Sequence, residues 1–539
     1  MARTPLFELF RQTTRVALAS EREGIPSREA AEAMRVSRRS LLKGATVLGA
    51  GLASGMGSEA WAAQSNKRTG PLNVGIIGAG LAGLACAYDL KRAGITATLH
   101  ETNDRPGGRI FSMGGAFPGP VSFPGQVVER GGEFIDTGHK TMLGYAQEFS
   151  LPKEDVTRPA GEVFYYFGGV RYPESVIVDE YRAFVAAMRP DLQQLSGEPS
   201  ADLHTAADRA LDQMDLRTYL ETRGAGPVLK AAISAAYEAE YGLAIHEQSS
   251  LNFLFFIRAN RRSRFEPFGV SDERYHLVGG NQQIPRELAA RLPGQVRYGE
   301  RLEAVRRTAA GSIELSLKRG ATSLTATYDA VVLAVPFTVL RNVSLDVSLA
   351  LPAWKTLAIQ QLGYGNNAKM MVGFRGPFWA EQGSNGASYS NLPNHQATWE
   401  TNPTKATSQS AVLTDYSSAA RAAALDPRNV AREAERFVAD LNKVYPGAST
   451  KVMRDSSGKI LAHLEHWPSN PNTLGSYTCY RPGQFTSICG NEGKAVGNLF
   501  FAGEHTNSFY WWQGFMEGAA LSGKDAAAAI LAKVKSGEL

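Results

Sequence analysis

Val74-Gly75-Ile76-Ile77-Gly78-Ala79-Gly80-Leu81-Ala82-Gly83-Leu84 decides the fold of this chain. An apolar run enters Gly-x-Gly-x-x-Gly, and the segment from Leu84 to Arg92 has helical patterning. A second strand candidate, Thr96-Ala97-Thr98-Leu99-His100, ends on Glu101. Each part has a physical task. Gly78 permits the tight turn, Gly80 lets main chain approach a pyrophosphate, and Gly83 lets helix and strand pack closely. The helix N-terminus faces the phosphates, and Glu101, about twenty residues on, can accept hydrogen bonds from a ribose. The expectation is a Rossmann-like α/β unit holding a dinucleotide. The motif alone does not choose between NAD and FAD.

The 539 residues suffice for two domains or one large composite one. Hydrophobic content of 43% and charged content of 20% are those of an ordinary globular protein. Nine Lys/Arg and six Asp/Glu precede Ala63, so of the net charge of +5 only +2 belongs to the rest of the chain. That balance argues against a nucleic-acid partner or a polybasic membrane anchor. Cys86, Cys479 and Cys489 match no zinc spacing, so no metal site is expected, and three cysteines make no disulfide framework. A Cys479–Cys489 pair is left open.

Ser37-Arg38-Arg39-Ser40-Leu41-Leu42-Lys43 resembles a twin-arginine export signal, followed over 44–57 by a weakly apolar, glycine-rich run and then Ala60-Trp61-Ala62, a small-x-small cleavage site. The apolar run is short for a membrane span. The expectation for residues 1–62 is a leader read by the Tat export machinery, giving a periplasmic or secreted protein folded before export. Translation starts at Met1 or at Met34.

Farther along, Arg105-Pro-Gly-Gly-Arg109 can bring amides and a guanidinium to phosphate. Glu129-Arg-Gly-Gly-Glu-Phe134 sets two glycines at a strand end, where main chain can lie against a flat ring. Residues 144–261 read as helical, with strands expected near 295–298, 312–317 and 330–334 and helices near 429–444 and 514–534. The dinucleotide domain is therefore expected to be discontinuous, from 70–145, 270–345 and 455–535. Residues 146–269 and 346–454 would form an inserted α+β substrate domain.

In order along the chain, these blocks resemble the flavin-dependent amine oxidase family of monoamine, polyamine and L-amino-acid oxidases. The further matches are Leu277-Val-Gly-Gly280, Asn367-Ala-Lys-Met-Met371, Trp467, Leu474-Gly-Ser-Tyr477, Phe501-Ala-Gly-Glu504 and Gly514-Phe-Met-Glu-Gly-Ala519. The resemblance implies FAD. Gly78, Gly80, Leu81, Ala82 and Gly83 would line its pyrophosphate, and Glu101 would hold the adenosine ribose. Arg109 would meet phosphate or ribityl oxygens, Gly131 and Gly132 would lie along the ring system, and Leu302 would contact adenine. Glu504 would bind near the ribityl–phosphate end, Trp467 would pack beside the flavin, and Met516 would place its amide near the ring.

The catalytic residues implied are Lys369, Tyr477 and Phe515. The alternation of the Lys369 block reads as a half-buried strand with a solvated lysine, but the resemblance puts that lysine under the flavin with a water. Tyr477 and Phe515 would form two aromatic walls around the amine, with help from Tyr510, Trp511 and Trp512. Ser476 stands where monoamine oxidases carry the cysteine that attaches FAD, which implies non-covalent FAD. Phe134 stands where L-amino-acid oxidases carry a carboxylate-binding arginine, which favours an amine without an α-carboxylate. Arg258, Arg261 or Arg262 could supply a clamp instead. Glu133, Glu238 or Glu240 could bind a distal ammonium, although a structural role suits them better. The implied reaction is oxidative deamination with O2 as acceptor and H2O2 as product. The alternatives are an L-amino-acid oxidase, a periplasmic dehydrogenase using a protein acceptor, and a flavoprotein without turnover. A homodimer is left open.

Overall fold

The computed structural model describes residues 71–157, 161–255, 272–508 and 512–539. The leader, Arg258, Arg261, Arg262, Tyr510 and Trp511 lie outside them. Val74–Ile77 is the middle of a five-stranded parallel sheet, ordered Leu499–Phe501, Ala330–Leu333, Val74–Ile77, Ala97–Glu101, Val296–Tyr298. All four residues of the middle strand are buried, as expected where a parallel sheet is covered on both faces. The helix Leu81–Arg92 and the C-terminal helix Met516–Ser536 share one core with this sheet, through Leu84, Leu90, Ala527 and Ile530. Over the other face lies an antiparallel layer of Glu300–Arg307, Ile313–Arg319 and Thr322–Tyr328, with Ser344–Leu345 at its edge. Strands from the start, middle and end of the chain thus build one discontinuous nucleotide-binding domain.

The second large sheet has seven strands, in the order Ala462–His466, Ala368–Phe374, Ala411–Ser417, Ala397–Glu400, Ser384–Ser390, Glu162–Phe167, Val170–Tyr172. Helices Glu174–Gln194 and Pro227–Tyr241 share a core with one face, and Val430–Val444 with the other. Asn429 caps the latter helix by accepting the Arg432 amide.

Three readings of the sequence need correction. The helical stretch expected over 144–261 is interrupted by strands. Glu162–Phe167 and Val170–Tyr172 form a hairpin whose turn glycines, Gly168 and Gly169, have φ of 60° and 84°. Positive φ at both turn positions matches the twist of paired strands, and Val163-Phe-Tyr-Tyr-Phe167 is the apolar and aromatic run that packs in a sheet. Ala462–His466, expected in the nucleotide-binding segment 455–535, instead pairs with Ala368–Phe374 in the seven-stranded sheet. Ala368–Phe374 itself is not half-buried, because all seven residues are covered. Met370 and Val372 face the helix Val430–Val444, while Met371 packs with Met113 and Val128 of the separate two-stranded sheet Ser112–Met113 and Val128–Glu129. No disulfide joins Cys479 to Cys489, and both are buried, like Cys86.

Candidate active site

A cavity of about 380 Å³ opens at the C-terminal ends of the parallel strands, where α/β sheets bind ligands. Its floor is the glycine turn. Gly78 has φ +97°, and a Cβ on Gly83 would lie 2.0 Å from the Gly78 carbonyl oxygen. Gly83 therefore packs beneath the turn rather than lining the cavity. A Cβ on Gly80 would meet nothing within 4 Å, so Gly80 presents bare main chain to open space. Gly78, Gly80, Leu81 and Ala82 all line the cavity, with Leu81 and Ala82 beginning the helix. This is the cradle a pyrophosphate requires. Glu101 ends the second strand beside it. One carboxylate oxygen accepts the Ala79 amide at 2.7 Å, and the other accepts the Asn103 amide and carboxamide. Leu302 lines the far wall, where the strand Glu300–Arg307 slips register.

At the other end, the Arg109 guanidinium donates to Glu504 Oε1 at 2.9 Å and to the Ser476 carbonyl at 2.6 Å. Glu504 Oε2 accepts the Gly514 amide and the Thr478 hydroxyl. The pair ties the turn at Arg109 to the segments at 476–478 and 504–514, nearly four hundred residues later. Phe515 and Met516 line the cavity at the start of the C-terminal helix, and that helix end is a site for developing negative charge. The next residue, Glu517, accepts the amides of Thr141 and Met142, so it anchors a second helix start beside the cavity. These residues form a dinucleotide-shaped site with a charge-stabilising end, which fits FAD.

Behind the turn at Arg109 lies Glu129–Glu133. The Gly132 amide donates to the Arg109 carbonyl, and a Cβ on Gly131 would lie 1.8 Å from that same oxygen. Lys369 reaches this segment from the seven-stranded sheet and is fully buried. Its Nζ donates to Glu133 Oε2 at 2.6 Å, to Gly131 O at 2.9 Å and to Glu129 O at 3.1 Å. The solvated lysine of the alternating-strand reading is therefore absent. Trp467 is buried, and its indole N–H donates to the Arg130 carbonyl at 3.1 Å. Asn281, directly after the Leu-Val-Gly-Gly block, was not foreseen. Its carboxamide donates to the carbonyls of Gly132 and Glu133. Glu129 accepts the Asn281 amide and the Ser112 hydroxyl, and burial pushes its carboxyl up to about 7.

Tyr477 is held by its hydroxyl, which donates to the Glu240 carbonyl and accepts from Tyr416 at 3.3 Å. Tyr416 packs edge-on against Trp399 at 5.5 Å, and Trp399 lies 6.3 Å from Phe134. Trp399 and Tyr416 extend the aromatic surface beyond the residues named from the sequence, which offered no local signal for them. Gly514 adjoins both foreseen walls: a Cβ on it would lie 3.5 Å from Tyr477 Cδ2, and Phe515 follows it in the chain. The Phe515 ring packs on His139 at 5.2 Å and on Trp512 at 6.0 Å. Glu133 is paired with Lys369, and Trp399 donates to its other oxygen. Glu238 accepts the Ile245 amide, and burial raises its pKa. Ser476, beside Tyr477, donates to Asn367. Among the described residues no cluster of His, Cys, Asp and Glu could hold a metal ion, and no helix is long and apolar enough to cross a membrane.

A two-domain flavoprotein oxidoreductase is the class that this fold and site define. The model of the flavin containing amine oxidoreductase family matches residues 81–531, and the chain belongs to that family. It is 27% identical over 475 residues to polyamine oxidase 4 of Oryza sativa subsp. japonica, covering 85% of this chain and 88% of that one. It is 26% identical over 491 residues to the flavin-dependent L-tryptophan oxidase RebO of Lentzea aerocolonigenes, covering 86% and 98%. Among solved structures, cyclohexylamine oxidase from Brevibacterium oxydans IH-35A superposes with a TM-score of 0.71 at 22% identity, covering 86% of this chain and all of that one. A wild-type putrescine oxidase bound to putrescine gives 0.69 at 21% identity, covering 86% and 99%. The expected fold and enzyme class are thereby borne out.

Proposed function

We propose that the protein oxidatively deaminates an apolar amine that lacks an α-carboxylate. Bound FAD supplies the two-electron acceptor for hydride leaving the carbon that bears the neutral amine. The imine is hydrolysed to an aldehyde or ketone, and O2 takes up the electrons as H2O2. The chain's own part is to dry, shape and orient. Tyr477 and Phe515 flank the amine, and Trp399, Tyr416 and Phe134 continue an apolar surface.

The observation that carries this reading is the pairing of the nearby charges. Arg109 is engaged by Glu504 and Arg130 by Glu465, and by the family resemblance Phe134 stands where L-amino-acid oxidases carry a carboxylate-binding arginine, the alternative clamps Arg258, Arg261 and Arg262 lying outside the described residues. A carboxylate buried there without a guanidinium would be costly. Glu133 is likewise taken by Lys369, which weighs against a distal ammonium. A second reading, L-amino-acid oxidation, is supported by relatives such as RebO. Anaerobic bleaching of the flavin, followed by peroxide release in air, across apolar monoamines, diamines and L-amino acids separates the readings. Bleaching by amino acids alone would sink the first. No peroxide in air, with turnover only when another electron acceptor is added, would replace the oxidase by a dehydrogenase.

We further propose that FAD is non-covalent, because Ser476 offers no thiol beside Tyr477 and Cys479 is buried with its thiol pKa raised by burial. Acid precipitation should leave the yellow colour in the supernatant. Export through the twin-arginine pathway, with FAD already bound, remains our reading of residues 37–43. Replacing Arg38 and Arg39 by Lys should leave the protein in the cytoplasm.

A further inference from the structure

The main-chain carbonyls of five successive residues, Glu129 to Glu133, are each captured by a side-chain donor. Lys369 takes those of Glu129 and Gly131, Trp467 takes that of Arg130, and Asn281 takes those of Gly132 and Glu133. The donors come from three separate places in the chain. On the amide side, Arg130 N–H donates to Phe111 O and Gly132 N–H to Arg109 O. Beyond Glu129, which ends the short strand Val128–Glu129, the segment is neither helix nor sheet, yet each of its five carbonyls has a donor. The Arg130 side chain adds a further tie, with its guanidinium on Glu465 at 2.5 Å and over the Phe111 ring at 3.7 Å. Glu465 is the cross-strand neighbour of Lys369, so the same two strands of the seven-stranded sheet grip the segment twice.

An ammonium has three protons to donate. Those of Lys369 go to Glu129 O, Gly131 O and Glu133 Oε2. None is left for a water beside the flavin. We propose that Lys369, Trp467 and Asn281 work as one carbonyl clamp. It holds Glu129–Glu133, and through Gly132 the Arg109 turn, as a rigid platform for the cofactor, which makes Lys369 a positioning residue. Glu133 completes the clamp by neutralising the ammonium and tying it to the Trp399 indole at 2.9 Å. The proposal rests on the flavin site and not on which amine is oxidised, so its test uses no substrate.

The test compares purified full-length holoenzymes: wild type, Lys369→Met/Glu133→Gln, Trp467→Phe and Asn281→Asp. The double variant removes both charges together, so no unpaired carboxylate is left buried. The readouts are the rate of FAD release on dilution and the visible circular dichroism of the oxidised flavin. A clamp predicts that each variant speeds release about tenfold, the scale of one lost charge-assisted or buried hydrogen bond. All three should shift the dichroism in the same sense, and Lys369→Met/Glu133→Gln/Trp467→Phe should release FAD more slowly than the product of the separate effects requires. Wild-type release and dichroism in Lys369→Met/Glu133→Gln, with only reoxidation of the reduced enzyme by O2 slowed, would overturn the clamp in favour of a lysine acting through water. A variant that purifies folded but empty of FAD, with its Trp467→Phe counterpart also depleted, supports the clamp. Depletion in Lys369→Met/Glu133→Gln alone overturns it.

Discussion

Alanine at Gly80 and alanine at Gly83 should fail in opposite ways, although the two glycines belong to one motif. At Gly80 the main chain is extended, with φ −67° and ψ 176°, a conformation any residue adopts. A Cβ there meets nothing within 4 Å. Alanine is a poorer N-cap than glycine by a few tenths of a kcal/mol, but it removes unfolded-state freedom worth about 0.4–1 kcal/mol. The apoprotein should therefore be as stable as wild type. At Gly83 the Cβ would sit 2.0 Å from the Gly78 carbonyl oxygen and 3.2 Å from Ile76 Cγ2. That oxygen is main chain and cannot swing aside, so the cost lies at the upper end of overpacking, about 3 kcal/mol, against about 1 kcal/mol gained in helix propensity. FAD closes the gap between them. At a hundred times its dissociation constant, FAD stabilises wild type by about 2.7 kcal/mol, and a hundredfold weaker affinity cuts this to about 0.4 kcal/mol. Urea unfolding with and without added FAD, beside a fluorescence titration of FAD, measures all four quantities. Gly80→Ala that keeps the full FAD increment, or that loses apoprotein stability as Gly83→Ala does, would refute the division into cradle and packing glycines.

Three further outcomes follow from the same geometry. Arg109→Met leaves the Glu504 carboxylate, 6% exposed, without its cation, and should cost about 3 kcal/mol in denaturant unfolding; Glu504→Gln combined with it should recover part of that loss. Glu517→Ala strips the acceptor from the Thr141 and Met142 amides, and should cost about 1–2 kcal/mol, with faster amide exchange at those two residues. Burial raises the Glu129 carboxyl from 4.5 to about 7, so the fold keeps a proton that the unfolded chain sheds. Its contribution is therefore complete below pH 4.5, declines as the pH rises to about 7 and is constant above. Unfolding free energies of Glu129→Gln relative to wild type should rise by about 3 kcal/mol across that window, and a flat difference would place the Glu129 pKa near its ordinary value.

What the sequence disclosed was what a short segment determines by itself. The turn from Gly78 to Gly83 is dictated by sterics within six residues, and it is found as read except that Gly83 packs beneath the turn instead of lining the cavity. The helix Val430–Val444 announces itself through Asn429 and its apolar stripe. The hairpin at Glu162–Tyr172 was equally local, with an aromatic run ahead of Gly168-Gly169, but it was lost inside a long stretch read for helical period. Ala462–His466 is a different case. Nothing in five residues says which sheet a strand joins, and only its pairing with Ala368–Phe374 decides it.

Roles within the site lie farther still from local reading. Arg109 and Glu504 are 395 residues apart, and Lys369 and Glu133 are 236 apart. A motif match can place a lysine or a carboxylate in the right region, but it cannot say how many hydrogen-bonding positions remain free once the chain has closed. Lys369 shows why the count matters. A lysine with a proton to spare could hold water at the ring, whereas one whose three donors end on Glu129, Gly131 and Glu133 is fixed in place by the segment it fixes. Burial makes the distinction energetic, because each of those protons, left without an acceptor, would carry a desolvation cost of about 1–3 kcal/mol or more. The same count applied to Glu504, with Arg109, Thr478 and Gly514 as its partners, gives it a structural duty at the cavity before any cofactor arrives. The cradle at Gly80 is bare main chain facing open space, whereas the platform at Glu129–Glu133 is already held by its side-chain donors.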